Sequence, residues 1–136
     1  MMISTKGRYA LRVMIDLAQN NTGEFISLKD VAKRQNISMK YLEMIVSLLN
    51  KGKMVESQRG KSGGYRLARK PSEYTIESIL TLTEGTLAPV NCLETGAKNC
   101  ERAANCITLP LWKKLDKVIG EYLESVTLED LIESNV

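Results

Sequence analysis

The fold is decided by residues 27–67, SLKDVAKRQNISMKYLEMIVSLLNKGKMVESQRGKSGGYRL, where two amphipathic segments precede a basic, glycine-rich loop. Ser27 is placed to cap a short helix, and Ser38 to cap a longer one that Gly52 ends. Asn36-Ile37 leaves only a brief turn between them. The apolar residues of the longer segment recur at helical spacing, at Leu42, Ile45, Val46 and Leu49. This pattern predicts a helix-turn-helix, although an ordinary helical hairpin has the same pattern.

A β-hairpin is predicted directly after the second helix. The segments Lys53–Ser57 and Tyr65–Leu67 are typical of short strands. The loop Gln58–Gly64 between them carries Arg59 and Lys61 at its tip, and its glycines let the backbone approach a phosphate chain closely. A nucleotide-binding P-loop is a poor match, because the Gly-Lys-Ser/Thr ending is not in the required spacing and no helix follows. The hairpin therefore favours a basic wing.

The remaining helices give a fold class that is mostly α with a small β-wing. Their predicted spans are 4–20, 75–85, 108–125 and a short helix from 127 onward. The long helix carries a wide apolar stripe, formed by Leu111, Trp112, Leu115, Val118, Ile119, Tyr122 and Leu123. A partner subunit is the simplest cover for a stripe of this width, so we expect a C-terminal dimerisation helix and a homodimer.

Charge is distributed unevenly along the chain. Residues 1–70 have a balance of +9 and residues 71–136 one of −6, which together give the net charge of +3. A polyanion attracted to the first half is repelled by the second. We therefore predict a winged helix-turn-helix DNA-binding region over 1–70, with a cysteine loop (91–107) and the dimerisation helix in 71–136, all within one compact domain.

The complete absence of histidine restricts the chemistry. It removes the usual general base, most zinc-site designs and any histidine-based triad, and no other acid–base pair is evident. The sequence therefore predicts no enzyme and no small-molecule substrate. No apolar run approaches the roughly 20 residues of a membrane span, and residues 1–6 lack the apolar stretch of a signal peptide. A cytoplasmic location without membrane contact is expected.

Three cysteines, Cys92, Cys100 and Cys106, lie in one short stretch. An odd number in a cytoplasmic protein argues against a disulfide framework and favours metal or redox chemistry. Thiolates are the ligands that iron–sulfur clusters prefer, and a loop rich in small residues lets three of them converge. Zinc is a poorer match, because it normally takes four Cys or His ligands with a Cys-x-x-Cys pair. Three reduced structural cysteines, or a thiol redox site, are the alternatives.

Several motifs in register resemble one family. They are residues 3–10 (ISTKGRYA), 37–43 (ISMKYLE), 59–65 (RGKSGGY), 87–90 (LAPV) and 126–131 (VTLEDL), and they span essentially the whole chain. They resemble the IscR family of dimeric winged-helix iron–sulfur transcription regulators, whose relatives include NsrR, RirA and CymR. The resemblance implies a homodimeric regulator, of repressor type, that binds a near-palindromic operator in double-stranded DNA.

The resemblance also implies an iron–sulfur cluster held by Cys92, Cys100 and Cys106, of the 2Fe–2S type by analogy to IscR. The fourth ligand departs from the family pattern. IscR has a histidine where this chain has Leu109, and NsrR-like proteins have an acidic residue where this chain has Arg8. A carboxylate is a harder and more labile ligand, which suits a sensor that loses its cluster. The carboxylates considered for that position are Glu43, Asp16, Glu94 and Glu101.

By the same resemblance, the second helix of the motif enters the major groove. The residues expected to face DNA from it are Ser38, Lys40, Tyr41, Glu43 and Ser47. Glu43 repels phosphate but can accept a hydrogen bond from cytosine N4, which favours selectivity over affinity. Arg59 at the wing tip suits a narrow, A·T-rich minor groove. Phosphate contacts are expected at Lys6, Lys29, Lys61 and Arg66.

Two functional hypotheses remain open at this point. The first is a regulator that senses iron–sulfur cluster status, iron or redox stress, typical of control over cluster biogenesis. The second is a clusterless, CymR-like regulator of cysteine and sulfur metabolism, which responds through a partner protein or through thiol oxidation. The iron and sulfide content of the purified protein distinguishes them.

Overall fold

The computed structural model describes residues 3–94 and 104–136. Its helices are α1 (Thr5–Gln19), α2 (Leu28–Gln35), α3 (Met39–Lys51), α4 (Ile76–Glu84), α5 (Leu109–Ser125) and α6 (Leu128–Ile132). Strands β1 (Val55–Gln58) and β2 (Gly64–Leu67) form a two-stranded antiparallel sheet between α3 and α4. Short 3-10 turns occupy Pro71–Glu73 and Asn91–Leu93. The fold is mostly α with a small β-wing, as predicted.

Side-chain capping fixes where most of these helices begin. Each capping hydroxyl accepts a hydrogen bond from the backbone N–H three residues further on, at 3.1–3.2 Å. A cap of this kind stabilises a helix by about 1 kcal/mol. The capping residues are the predicted Ser4, Ser27, Ser38, Thr75 and Thr127. At α5, in contrast, Thr108 makes no side-chain cap bond and the helix begins with a proline in its first turn.

The helix-turn-helix is made by α2 and α3. Asn36 ends α2 in the left-handed conformation, with φ 53°, which asparagine adopts more readily than most residues. Ile37, only 6% exposed, then packs into the core beneath the turn. The predicted apolar residues of α3 face inward. The opposite face of α3 is consequently left exposed along the helix.

The boundaries of the wing strands differ slightly from the prediction. The strand expected over 53–57 runs from Val55 to Gln58, because Lys53 takes up the left-handed conformation with φ 58° and ends the turn after α3. The second strand begins one residue earlier than expected, at Gly64, which pairs with Gln58. The loop of the hairpin is therefore shorter than the predicted 58–64.

A backbone pair joins the wing to the segment before α2. Ile26 and Tyr65 each donate their N–H to the other's carbonyl oxygen at 2.8 Å. Gly64 approaches this pair so closely that a Cβ atom there would lie 2.0 Å from the Ile26 carbonyl oxygen. Only glycine fits, so the pairing that orients the wing depends on this residue.

Tyr74 clamps the base of the wing. Its ring is fully buried, and its hydroxyl donates to the Met54 carbonyl oxygen at 2.6 Å. The hydroxyl oxygen of Tyr74 in turn accepts hydrogen bonds from the N–H groups of Ala68 and Arg69, both at 3.0 Å. Burial raises the pKa of Tyr74 above its ordinary value, although these two N–H groups oppose the shift. The chain leaving β2 is thereby fixed against the chain entering β1.

The second half of the chain packs onto α1. The N–H and the hydroxyl of Ser4 donate to one carboxylate oxygen of Glu84, at 3.1 and 2.7 Å, and link the start of α1 to the end of α4. Tyr74, Ile79 and Leu128 are buried in the same hydrophobic cluster as the core of the helix-turn-helix. Within the described ranges, no helix is long and apolar enough to cross a membrane.

Candidate DNA-binding surface and cysteine segment

The exposed face of α3 is mostly polar. Lys40, Glu43 and Ser47 are exposed and share the face opposite the buried residues. Tyr41 is half-buried, and its ring packs edge-to-face on Tyr9 of α1 with centroids 5.6 Å apart. The Ser38 hydroxyl caps the helix by accepting the Tyr41 N–H. The residues expected to face DNA are therefore brought together at one surface, with Ser38 and Tyr41 also fixing the helix.

A buried carboxylate anchors this motif from below. Asp16 of α1 is 1% exposed, and its two oxygens accept hydrogen bonds from Arg34 Nε and Nη2 at 3.0 and 2.8 Å. Gln35 Nε2 adds a third at 2.9 Å. Arg12 in turn donates to the Gln35 side chain and backbone carbonyl. The hydrogen bond with Asp16 raises the pKa of Arg34, although desolvation opposes the shift. The end of α2, and hence the turn into α3, is held by α1.

This network bears on one of the proposed cluster ligands. Asp16 is one of the carboxylates predicted as a fourth ligand, but its oxygens accept hydrogen bonds from Arg34 and Gln35 inside the domain. A carboxylate with this surrounding would have to break three bonds before it could bind iron, which argues against the role. The sequence carried one sign of the anchoring function, since Asp16 interrupts the apolar stripe of α1.

Asp16→Asn is expected to lower the free energy of unfolding by about 1–3 kcal/mol, because an amide cannot accept all three hydrogen bonds. The cost is limited by Arg34, whose side chain is 38% exposed and can turn to water. Urea unfolding followed by circular dichroism measures the change. Glu124→Gln, which neutralises an exposed acid on α5, is the matched control and should stay within about 0.5 kcal/mol of the unaltered protein. Equal stability of the two variants would contradict the anchoring role.

The wing and the neighbouring helices carry the predicted cations, in different settings. Arg59 and Lys61 are exposed at the tip of the hairpin, Lys29 is exposed on α2, and Lys6 is half-buried near the start of α1. Arg66 is engaged within the domain: its Nε donates to Glu56 across the sheet at 2.9 Å and its Nη1 to the Gly23 carbonyl at 2.7 Å. Its guanidinium also lies 4.2 Å from the centroid of the Phe25 ring. Arg66 thus braces the wing, and a phosphate would compete with Glu56 for it.

The cysteine segment lies between α4 and α5. Cys92 is exposed in the 3-10 turn Asn91–Leu93 and carries a free thiol. Cys106 is half-buried, with its Sγ 3.4 Å from the Thr108 hydroxyl oxygen, just before α5. Cys100 and the ligand candidate Glu101 lie outside the described residues. In the part of the chain that the structure describes, no three Cys, Asp or Glu side chains converge on one metal position.

The donor set nevertheless has the chemistry that an iron–sulfur cluster requires. Three thiols in one segment supply the ligand type that clusters prefer. Glu94 is half-buried two residues after Cys92, whereas Glu43 is exposed on α3. Among the described carboxylates, Glu94 is therefore the one closest in sequence to a cysteine.

The apolar residues of α5 divide into two faces, which the sequence pattern alone did not separate. Trp112, Ile119 and Leu123 are half-buried, and Leu123 packs against the cluster of Ile76, Leu80 and Val126. The other face is exposed to solvent, with Leu111 58%, Leu115 39%, Val118 48% and Tyr122 56% exposed. These four follow one another at intervals of four, three and four residues, the spacing of a coiled-coil seam. An apolar seam of this kind is typical of an interface.

Comparison with known proteins gives consistent relatives. A family model described as Rrf2, iron-dependent transcriptional regulator, matches residues 3–134. The transcriptional regulator IscR of Aliivibrio salmonicida is 34% identical over 135 residues, which cover 99% of this chain and 79% of the relative. The structure of CymR, the global cysteine regulator of B. subtilis, matches with a TM-score of 0.80 at 39% identity, over 98% of each chain. That of T. potens IscR matches with a TM-score of 0.77 at 35% identity, over 100% of this chain and 89% of the other.

Proposed function

The chain belongs to the Rrf2 family of transcriptional regulators, and from that premise we propose that it is a homodimeric repressor of the IscR type. In this proposal it acts in the cytoplasm and binds a near-palindromic operator. Cys92, Cys100 and Cys106 would hold an iron–sulfur cluster, of the 2Fe–2S type, whose presence would control that binding. The family consists of DNA-binding regulators rather than enzymes, as the sequence predicted.

The observation that carries the DNA-binding part is the joint placement of α3 and the wing. The exposed face of α3 presents Lys40, Glu43 and Ser47, while Arg59 and Lys61 project from the hairpin that follows it. Both lie in the half of the chain whose charge balance is +9. In a two-fold dimer, two such surfaces fit successive major grooves roughly 34–36 Å apart. In that arrangement Lys6, Lys29 and Lys61 contact DNA phosphates. Glu43 selects cytosine by accepting a hydrogen bond from its N4 amino group.

The sensing part of the proposal is supported by the donor set and its place in the chain. When bound, the cluster would supply a redox-active group that is lost on oxidation or when iron is scarce. Glu94 is the fourth ligand that we favour among the described carboxylates. Residues 91–107 connect α4, which packs on the DNA-binding half, to α5, which carries the exposed apolar seam. A change in how Cys92 and Cys106 are held therefore acts between the two DNA-binding surfaces of the dimer.

A clusterless regulator like CymR is the second candidate. It is favoured by the similarity to CymR over 98% of both chains and by the exposed thiol of Cys92, which is accessible to oxidation. In that case the protein would respond to cysteine or sulfur metabolism through thiol oxidation or a partner protein. Iron and acid-labile sulfide measured after purification without oxygen separate the two candidates.

Arg59→Ala is expected to weaken operator binding by about 1–3 kcal/mol, because one charged contact in the minor groove is lost. The operator is first selected from randomised duplexes with the unaltered protein, and affinity is then measured by fluorescence anisotropy across a salt series. Lys113→Ala, which removes an exposed charge from α5 on the side away from the seam, is the control. Failure to select any duplex would contradict the proposed function. Unchanged affinity of Arg59→Ala would contradict only the role of the wing.

A further inference from the structure

Met44 occupies an unexpected place on α3. It is 47% exposed, and it lies one helical turn after Lys40 on the face opposite the buried residues. The other residues near the middle of that face, Lys40, Ser47 and Lys51, are polar and exposed. A single exposed apolar residue on a protein surface needs no explanation by itself. Here, however, it stands at the centre of the face that is proposed to enter the major groove.

An open cleft lies beside Met44 on this face of α3. The cleft has a volume of about 520 Å³ and is lined by Ser38, Lys40, Tyr41 and Met44. Its Tyr41 wall is fixed, because that ring packs edge-to-face on Tyr9 and the guanidinium of Arg12 lies 4.8 Å from the Tyr9 centroid. The other side of the cleft is formed by the unbranched thioether side chain of Met44, whose conformation can adapt to the group that it contacts. The result is an open, partly apolar recess with a cation at its rim.

The edges of the DNA bases present only one kind of apolar group in the major groove, the C5-methyl of thymine. A polar side chain at position 44 would read a donor or an acceptor, whereas methionine gains by burying a methyl group. Lys40 at the rim is complementary to the charge of the surrounding phosphates and to the acceptors of guanine. Resting on the proposed function, we propose that Met44, against the Tyr41 ring, receives the methyl group of one thymine in each operator half-site and thereby sets specificity at that position.

Replacing each thymine of the selected duplex by deoxyuridine, one symmetric pair at a time, tests the inference directly. Deoxyuridine keeps the base pair and removes only the methyl group. For the unaltered protein, deoxyuridine at one particular symmetric pair should lower the affinity by about fourfold per half-site, as expected for the loss of one buried methyl group. For Met44→Gln, the same replacement at that pair should have no effect. Met44→Leu should restore the sensitivity, because leucine also offers an apolar surface.

Met39→Gln is the matched control, since Met39 is also exposed on α3 but does not line the cleft. It should retain the full sensitivity to deoxyuridine. The inference is overturned if no thymine of the duplex is sensitive in the unaltered protein, or if Met44→Gln is as sensitive as the unaltered protein. A protein from which no duplex can be selected refutes the proposed function instead, so the two failures are distinguishable.

Discussion

A chain carrying both Val118→Glu and Tyr122→Glu is expected to sediment as a monomer and to bind its operator on the order of a thousandfold more weakly than the unaltered protein. Both side chains belong to the exposed seam of α5, so they contact solvent within the protomer. In a dimer that buries this seam, the two substitutions place carboxylates in an apolar contact, where they lack a partner. The dimer should dissociate while each protomer remains folded.

DNA binding weakens because a monomer cannot bind both half-sites of the operator at once. A dimer that holds one half-site presents its second α3 to the other half-site at a high effective concentration, whereas a monomer must bind each site independently. Analytical ultracentrifugation gives the oligomeric state, and anisotropy with the selected duplex gives the affinity. A duplex with a single half-site should be bound about equally by both proteins, because it gains nothing from linkage.

Lys113→Glu is the matched control, because it changes the charge of each protomer by the same −2 on the side of α5 away from the seam. It should remain a dimer. If the Val118→Glu, Tyr122→Glu protein also remained a dimer and kept its affinity, the seam would not be the dimer interface. Near-unchanged circular dichroism is expected for both variants, since none of the substituted residues is buried in the protomer.

Features that depend on local chemistry were predictable from the sequence. The helix starts at Ser27, Ser38 and Thr127 are fixed by a hydroxyl and a backbone N–H three residues away, so neighbouring residues suffice to identify them. The same holds for the wing, because a glycine-rich basic loop between two short β-prone segments has few other solutions. The error at the start of β1 came from Lys53, since a non-glycine residue gives no local sign that it will adopt a positive φ.

Features that depend on distant partners were not predictable. Asp16 was a reasonable ligand by residue type, but its role is set by Arg34, 18 positions away. Arg66 was a reasonable phosphate contact until the sheet register placed Glu56 opposite it. The stripe of α5 was identified as one surface because helical periodicity gives the apolar positions but not which neighbour covers each of them. Among the described residues, Leu123 packs against Ile76 and Leu80 of α4 and against Val126, whereas Tyr122 is exposed.

Cys92→Ser is expected to reduce iron and acid-labile sulfide to background in protein purified without oxygen, together with the visible absorbance. Serine keeps the size of the residue but replaces a thiolate by a hydroxyl group, which is a poor ligand for an iron–sulfur cluster. Because Cys92 is exposed, the substitution removes no core contact, and the free energy of unfolding of the apoprotein should change by less than about 0.5 kcal/mol. The loss can therefore be attributed to ligation.

The same result is expected for Cys106→Ser, with Thr108→Ala as its control, because the latter removes the Sγ–Oγ contact and keeps the thiol. Glu94→Gln should retain iron at first and lose it faster in air, since a labile fourth ligand affects the lifetime of a cluster more than its assembly.

Full iron content in Cys92→Ser would remove that residue from the ligand set. Unaltered protein that stays colourless after anaerobic reconstitution, yet binds the selected duplex, would favour the clusterless candidate. In the proposed function, DNA binding depends on α3 and the wing, whereas cluster binding depends on the three cysteines, so the first can persist without the second.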